Sequence, residues 1–434
     1  MGIIIRVSRI ITIGRCIALI AGALLALSCG EEKSGATVIT FWALGNEGEN
    51  VRELIPEFER RNPGIHVRIQ AIPWTAAHEK LLTSYAGNSM PDIFQLGNTW
   101  VPEFSVLGAI EDLRPWLQTS NLIHDSSYFP GIWATNTIDS AVLGIPWYVD
   151  TRVLFYRKDL FLAAGYSRPP RTWTEWKDLS HQLKHLAEEE GREAYAILMP
   201  TNEWAPTVIL GLQRGSTLLK DQNTRGDFSG PLFHDAFEFY SSFFKEGLAP
   251  IGVTQVTNVY QGIAEGFFAM YITGPWNVGE FRRRLPAQLQ DQWMTAPLPG
   301  PNPETPGVSL AGGSSLAMAR RSSHKREVWK LIEYLSDPRQ QLKFYQITGD
   351  LPARRETWRD TVLMNNPYAR AFEVQLNHVV PTPQIPQWEQ IAMKVQECAE
   401  ITSREKLTIV EALSELDRSV NVILEKRRWL VYGR

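Results

Sequence analysis

The chain has 434 residues, 44% of them hydrophobic and 21% charged, and a formal net charge of −3. This length exceeds what one compact core can serve and predicts two or three lobes of ordinary globular composition. Tryptophan is the surplus residue, with 15 copies all beyond residue 40, as expected where flat apolar faces must be gripped as well as cores filled.

The N-terminus carries Arg6, Arg9 and Arg15, then the apolar run "IALIAGALLAL" (17–27), then "SCG". A basic stretch, a short apolar stretch and a small residue before a cut site read as a secretory signal over 1–28, too short to span a bilayer. Cys29 resembles the lipid-accepting cysteine of bacterial lipoprotein signals and heads a linker over 29–36. The expected location is therefore the periplasm or outer face of the cell membrane, with a lipid anchor at Cys29. Removing 1–28 leaves 41 basic against 47 acidic residues, which argues against a nucleic-acid partner. Cys16 goes with the signal and Cys29 to lipid, so Cys398 alone supports no disulfide framework, thiolate metal site or redox pair.

"TVITFW" (37–42) reads as a buried strand. "NEGENVRELIPEFERR" places Val51, Leu54, Ile55 and Phe58 at helical spacing and stops at Asn62-Pro63-Gly64. "IHVRIQAI" (65–72) alternates as a strand, "AAHEKLLTSYAG" (76–87) is a helix and "DIFQL" (92–96) an apolar strand. Strand, helix, strand, helix, strand is the order of a parallel α/β sheet. Its ligand-facing strand ends fall at Trp42 to Glu47, Ile72 to Trp74 and Gly97 to Trp100. A second α/β stretch follows from "RVLFYR", and the tail from Lys325 is mostly helical.

No P-loop, dinucleotide glycine fingerprint or HExxH sequence is present, and no cofactor is expected. His181 and His185, four apart on a helix, share its polar face with Lys184 and Glu188 and read as solvated. "DQNTRGDFSG" (221–230) opens like a calcium loop but has Arg225 and Leu232 where oxygen ligands are needed, and reads as a turn. "GGSSL" (312–316) lacks the trailing glycine of a nucleophile elbow.

What remains is aromatic and polar residues at strand ends. A pyranose offers a C–H face and a hydroxyl edge, so a sugar site wants flat rings beside Asp, Glu, Asn and Arg. In "GIPWYVDTRVLFYRKDL" (144–160), alternation sends Tyr148 and Asp150 one way and Trp147 the other. Trp74 and Trp204, in loops with polar neighbours, are further candidates.

The segments "ITFWALGNEGE", "MPDIFQLGNTWVPEFSVLGAIEDL", "GIPWYVDTRVLFYRKDLF", "MYITGPWNVGEF", "SLAGGSSLAMARRS", "ITGDLPARRE" and "EALSELDRSVNVIL", in this order, resemble the family 1 extracellular solute-binding proteins that deliver sugars to bacterial ABC importers. The resemblance implies an α/β, two-lobed periplasmic-binding-protein-like fold of type II, each lobe a mainly parallel sheet flanked by helices, with ligand in the interlobe cleft. The expected lobes are 37–145 with 271–320, and 146–270 with 321–434. Carried over by position, the substrate-binding candidates are Asn46, Glu47, Asn98, Trp100, Tyr148, Asp150, Trp276, Gly313, Ser314 and Arg354, the last with a structural role as the alternative. Ser314 and Ser315 stand where some relatives carry another aromatic. The implied protein is a monomeric, non-enzymatic receptor for a mono- or oligosaccharide, with an ABC importer's transmembrane permease as partner. Two other readings stay open: a secreted glycoside hydrolase using an acid pair among Glu47, Glu49 and Asp150, and a binding protein for a cationic solute.

Overall fold

The computed structural model describes residues 36–251, 258–304 and 307–433; the signal segment and Cys29 lie outside the described residues. Two sheets are built from β1 (Thr37–Leu44), β2 (Ile65–Ile72), β3 (Ile93–Gly97), β4 (Ile145–Asp150), β5 (Val153–Arg157), β6 (Tyr195–Leu198), β7 (Phe268–Thr273), β8 (Trp293–Ala296), β9 (Gly312–Met318) and β10 (Leu351–Pro352). The first has the order β10-β4-β9-β3-β1-β2 and the second β8-β5-β7-β6. β1 pairs in parallel with both β2 and β3, so the opening strand and helix alternation forms the parallel core the sequence predicts. Burial follows position: edge strand β2 is buried only at its ends and alternates between exposed and half-buried residues along its length, whereas central β3 is buried throughout, the pattern of a strand covered on both faces.

The two lobes divide differently from the expected boundaries. β4 ladders against β9 and β10 in the first sheet, so residues 146–150 belong with the first lobe. β7 and β8 both ladder against β5 in the second sheet, so 271–296 belong with the second. The segment after 320 is also split: the helices Lys325–Ser336 and Pro338–Thr348 pack on first-sheet strands. Trp388–Ser403 packs with the second-lobe helices Ala205–Gln213 and Pro231–Lys245. Hydrophobic periodicity reports which residues are buried but not which sheet buries them, and both sheets take antiparallel strands from distant sequence.

The run 46–61, expected to be helical, falls into the helix Gly45–Asn50, a 3-10 turn Val51–Glu53 and the helix Ile55–Arg61. Pro56 supplies the reason: it has no N–H to donate and is accepted only in a first helical turn. The run 221–230 is a turn: Leu219–Lys220 and Arg225–Gly226 pair as a short hairpin, joined by Asp221, Gln222 and Asn223 at φ of 53°, 57° and 59°. His181 and His185 lie on an exposed helix face, each facing a carboxylate, Glu246 at 2.9 Å and Glu189 at 3.4 Å.

The fold brings three strand ends to one edge. β1 runs out at Leu44 into Gly45, whose φ of +49° turns the chain into the short helix bearing Asn46 and Glu47. β3 ends at Gly97 before Asn98 and Trp100, and β4 ends at Asp150. Only Thr151 and Arg152 separate β4 from β5, so a two-residue crossing joins the sheets.

Candidate functional site

A cavity of about 1010 Å³ lies at this edge, between the lobes. The first lobe contributes Asn46, Glu47, Trp74, Asn98, Trp100, Tyr148, Asp150, Gly313 and Asp350; the second contributes Glu203, Trp204, Trp276, Glu280, Arg283 and Glu389. Ten of the twelve sequence candidates for ligand contact thus share one wall system.

Tyr148 and Glu47 form its floor. The Tyr148 hydroxyl donates to Glu47 Oε1 at 2.8 Å and accepts from Gln95 Nε2 and Ser314 Oγ, each at 3.1 Å. Gln95 is itself fixed, because its Oε1 accepts the Leu44 N–H at 2.8 Å. Trp74 Nε1 donates to Glu47 Oε2 at 3.3 Å, which orients an indole left 37% exposed. Burial raises the Glu47 pKa, and hydrogen bonds from its own backbone, Tyr148 and Trp74 oppose the rise. Buried polar groups hold a unique geometry only when each is satisfied, and this floor meets that condition.

The aromatic walls are positioned by equally local means. Trp74 and Trp100 meet edge to face at 5.8 Å. His78 backs Trp100 at 4.9 Å while its Nε2 lies 2.7 Å from Glu103 Oε2. The bond to Glu103 leads the forces that raise the His78 pKa. Across the cavity Trp204 rests edge to face on buried Trp388 at 5.5 Å. Trp276 opens a helix after Gly274-Pro275, and a Cβ on Gly274 would come within 1.9 Å of Trp276 Cζ3. Glycine is therefore what lets the indole lie against the turn, 45% exposed. Gly313 is equally constrained: its φ is +119°, and a Cβ there would meet the Tyr148 carbonyl oxygen at 2.3 Å. Asn98 is buried, with Oδ1 accepting from Ser315 Oγ at 2.9 Å and Nδ2 unpartnered among the described residues. A buried amide with an unused N–H on a cavity wall is suited to an oxygen-bearing ligand.

Two candidates stand elsewhere. Ser314 is fully buried behind the wall, where Oγ donates to the Tyr148 hydroxyl and accepts from Gln95 at 3.3 Å; as the register partner of Tyr148 it shares that residue's sheet face and lies behind its hydroxyl. Arg354 is 3% exposed, bonds the carbonyls of Leu122 and Ser336 at 3.0 and 3.1 Å and Glu356 at 2.6 Å, and lies over Tyr128. Its part is structural: it ties the 122, 336 and 356 segments together. Arg152, Glu203, Glu280, Arg283, Asp350 and Glu389 were missed. Arg152, two residues past Asp150 on the crossing, had a readable position; Glu203, Asp350 and Glu389 come from turns and a helix start, and Glu280 and Arg283 from the later turns of the helix Trp276–Arg284, a convergence no local pattern reveals.

Asp350 is the most perturbed acid of the site, pushed up to about 7 by burial first and by repulsion from Glu47 and Asp150, against a bond to Thr348. Its native pKa lies above the ordinary 3.8, so the folded form holds the proton more tightly and stability falls as pH rises from about 4 to about 7. Asp350→Asn removes this contribution. Urea midpoints at pH 5 and pH 7.5 should diverge less in the variant than in the wild type; equal divergence would refute the assignment.

Residues 42–342 match the family described as "Bacterial extracellular solute-binding protein". The structure of the sugar-binding protein MalE from the phytopathogen Xanthomonas citri is 46% identical, superposes with a TM-score of 0.88, and covers 92% of this chain and 100% of its own. A putative binding protein of Brucella abortus is 27% identical over 383 residues, 86% of this chain and 90% of its own. The diacetylchitobiose binding protein DasA of Streptomyces coelicolor is 24% identical over 391 residues, 85% of this chain and 88% of its own. These relatives are binding proteins rather than enzymes. On family match, identity and two-lobed fold together, the chain belongs to the bacterial extracellular solute-binding proteins.

Proposed function

We propose that this protein captures a mono- or oligosaccharide between its lobes and hands it unchanged to the permease of an ABC importer. One observation carries the reading: the indoles of Trp74, Trp100, Trp204 and Trp276 line one interlobe cavity together with Glu47, Asn98, Asp150 and Glu203. Rings take the C–H faces of a sugar and the polar groups its hydroxyls. The likeness to a sugar-binding protein at 46% identity supports the same class of ligand. Walls from both lobes let a bound sugar favour the closed form, which is the condition for ligand-driven closure. Of the three acids in the hydrolase reading, both Glu47 oxygens accept protein hydrogen bonds, Asp150 is held by Arg152, and Glu49 is a largely exposed side chain beside Arg52 that does not line the cavity.

A thermal-shift screen against neutral mono- and oligosaccharides tests the reading. A sugar that binds only the folded form raises the melting temperature in proportion to the logarithm of its concentration; no shift with any sugar would refute it. The receptor works as a monomer, exported and tethered through lipid on Cys29, with no nucleic-acid partner. Cells fed labelled palmitate should label the wild-type chain and not Cys29→Ala; equal labelling of both would refute the anchor.

A further inference from the structure

Arg152 stands on the two-residue crossing between the sheets, and its guanidinium is caged. Nη1 donates to Asp150 Oδ1 at 2.9 Å and Oδ2 at 3.1 Å. Nη2 lies 3.5 Å from Glu203 Oε2 of the second lobe, and Cζ sits 4.4 Å from the centroid of the Trp276 ring. The backbone is pinned on both sides: Ser309 Oγ accepts the Arg152 N–H at 3.2 Å and donates to its carbonyl at 2.9 Å. The side chain lines the cavity yet is only 17% exposed.

Two carboxylates and an indole face are the set of groups that recognises an organic cation. Here the chain's own guanidinium fills that set. We infer that Arg152 is a specificity-determining residue that occupies a built cation site over Trp276 and thereby reserves the cavity for uncharged ligands. Its single positive charge balances Asp150 and offsets part of the pull of Glu203, carboxylates that would otherwise draw ammonium or guanidinium compounds to this spot. A cationic ligand must displace a tethered competitor and meets like charge beside it; a neutral sugar does neither.

Deleting the side chain should unmask the cage. Methylguanidinium chloride, titrated at constant ionic strength with tryptophan fluorescence and melting temperature as readouts, is the probe. Arg152→Ala should bind it saturably in the millimolar range, roughly tenfold or more tighter than the wild type, the size expected for a desolvated cation over an indole. The double variant Arg152→Ala, Trp276→Ala should lose the gain. No saturable binding to folded Arg152→Ala, or an equal response in all three proteins, would overturn the inference. Should Arg152→Ala fail to fold, Arg152→Gln, which keeps a donor for Asp150, undergoes the same titration with the same two outcomes. The inference rests on the sugar-cleft reading only for the ligands it says are admitted. The titration needs no sugar, so its failure and a failure of sugar capture are read separately.

Discussion

Replacing Trp276 with alanine should weaken binding of the captured sugar by roughly thirtyfold, about 2 kcal/mol, the range of a buried aromatic anchor at a recognition centre. The indole is 45% exposed on the cavity wall, more than Trp74 at 37%. A sugar covering it removes apolar area from water and gains a stacked contact, and alanine forfeits both. The melting temperature without sugar should barely move, because the ring rests on its own turn and on Arg152 rather than in the core. Calorimetric titration of the sugar that gives the largest thermal shift measures the loss; unchanged affinity would remove Trp276 from the site.

Trp147→Ala should show the converse, a loss of stability of about 3–5 kcal/mol, as for truncation of a large buried aromatic, with little change in affinity of the folded protein. Trp147 is 1% exposed, stacks on Phe344 at 4.5 Å and meets Phe41 at 5.9 Å. It joins β4 and β1 to the helix Pro338–Thr348 and does not line the cavity. Denaturant unfolding reports the stability change, and sugar titration of the folded fraction reports the affinity. A variant as stable as the wild type, or one that folds but has lost binding, would contradict this division of labour.

Those neighbouring residues show what the sequence makes legible. In "IPWYVD" period-2 alternation separates Trp147 from Tyr148 and Asp150, and the two sides are as it requires. The parallel core β1, β2 and β3 was legible for the same reason: each strand carries its own burial pattern and each crossover is a local helix. Lobe boundaries were not, since β7, β8, β9 and β10 join sheets through ladders with residues far away in sequence. Among site residues, those directly after the strand ends were readable. Asp350 and Glu389 were not, because a carboxylate after a helix or at a helix start looks like an ordinary solvated or capping residue until tertiary structure brings it to the cavity. Arg354 misled because its motif places the residue correctly while the side chain turns inward to backbone carbonyls. Ser314 misled because its motif places it on the right sheet face while its register partner Tyr148 lies over it.

The cleft should hold one sugar per chain and leave it intact. Native mass spectrometry of the wild-type chain after incubation with a mixture of neutral oligosaccharides tests it most directly. The expected spectrum shows a single added mass per chain, equal to one unmodified sugar, lost when Trp276 and Asp150 are both replaced by alanine. A chain that retains no sugar, or a mixture converted to shorter products, would contradict it.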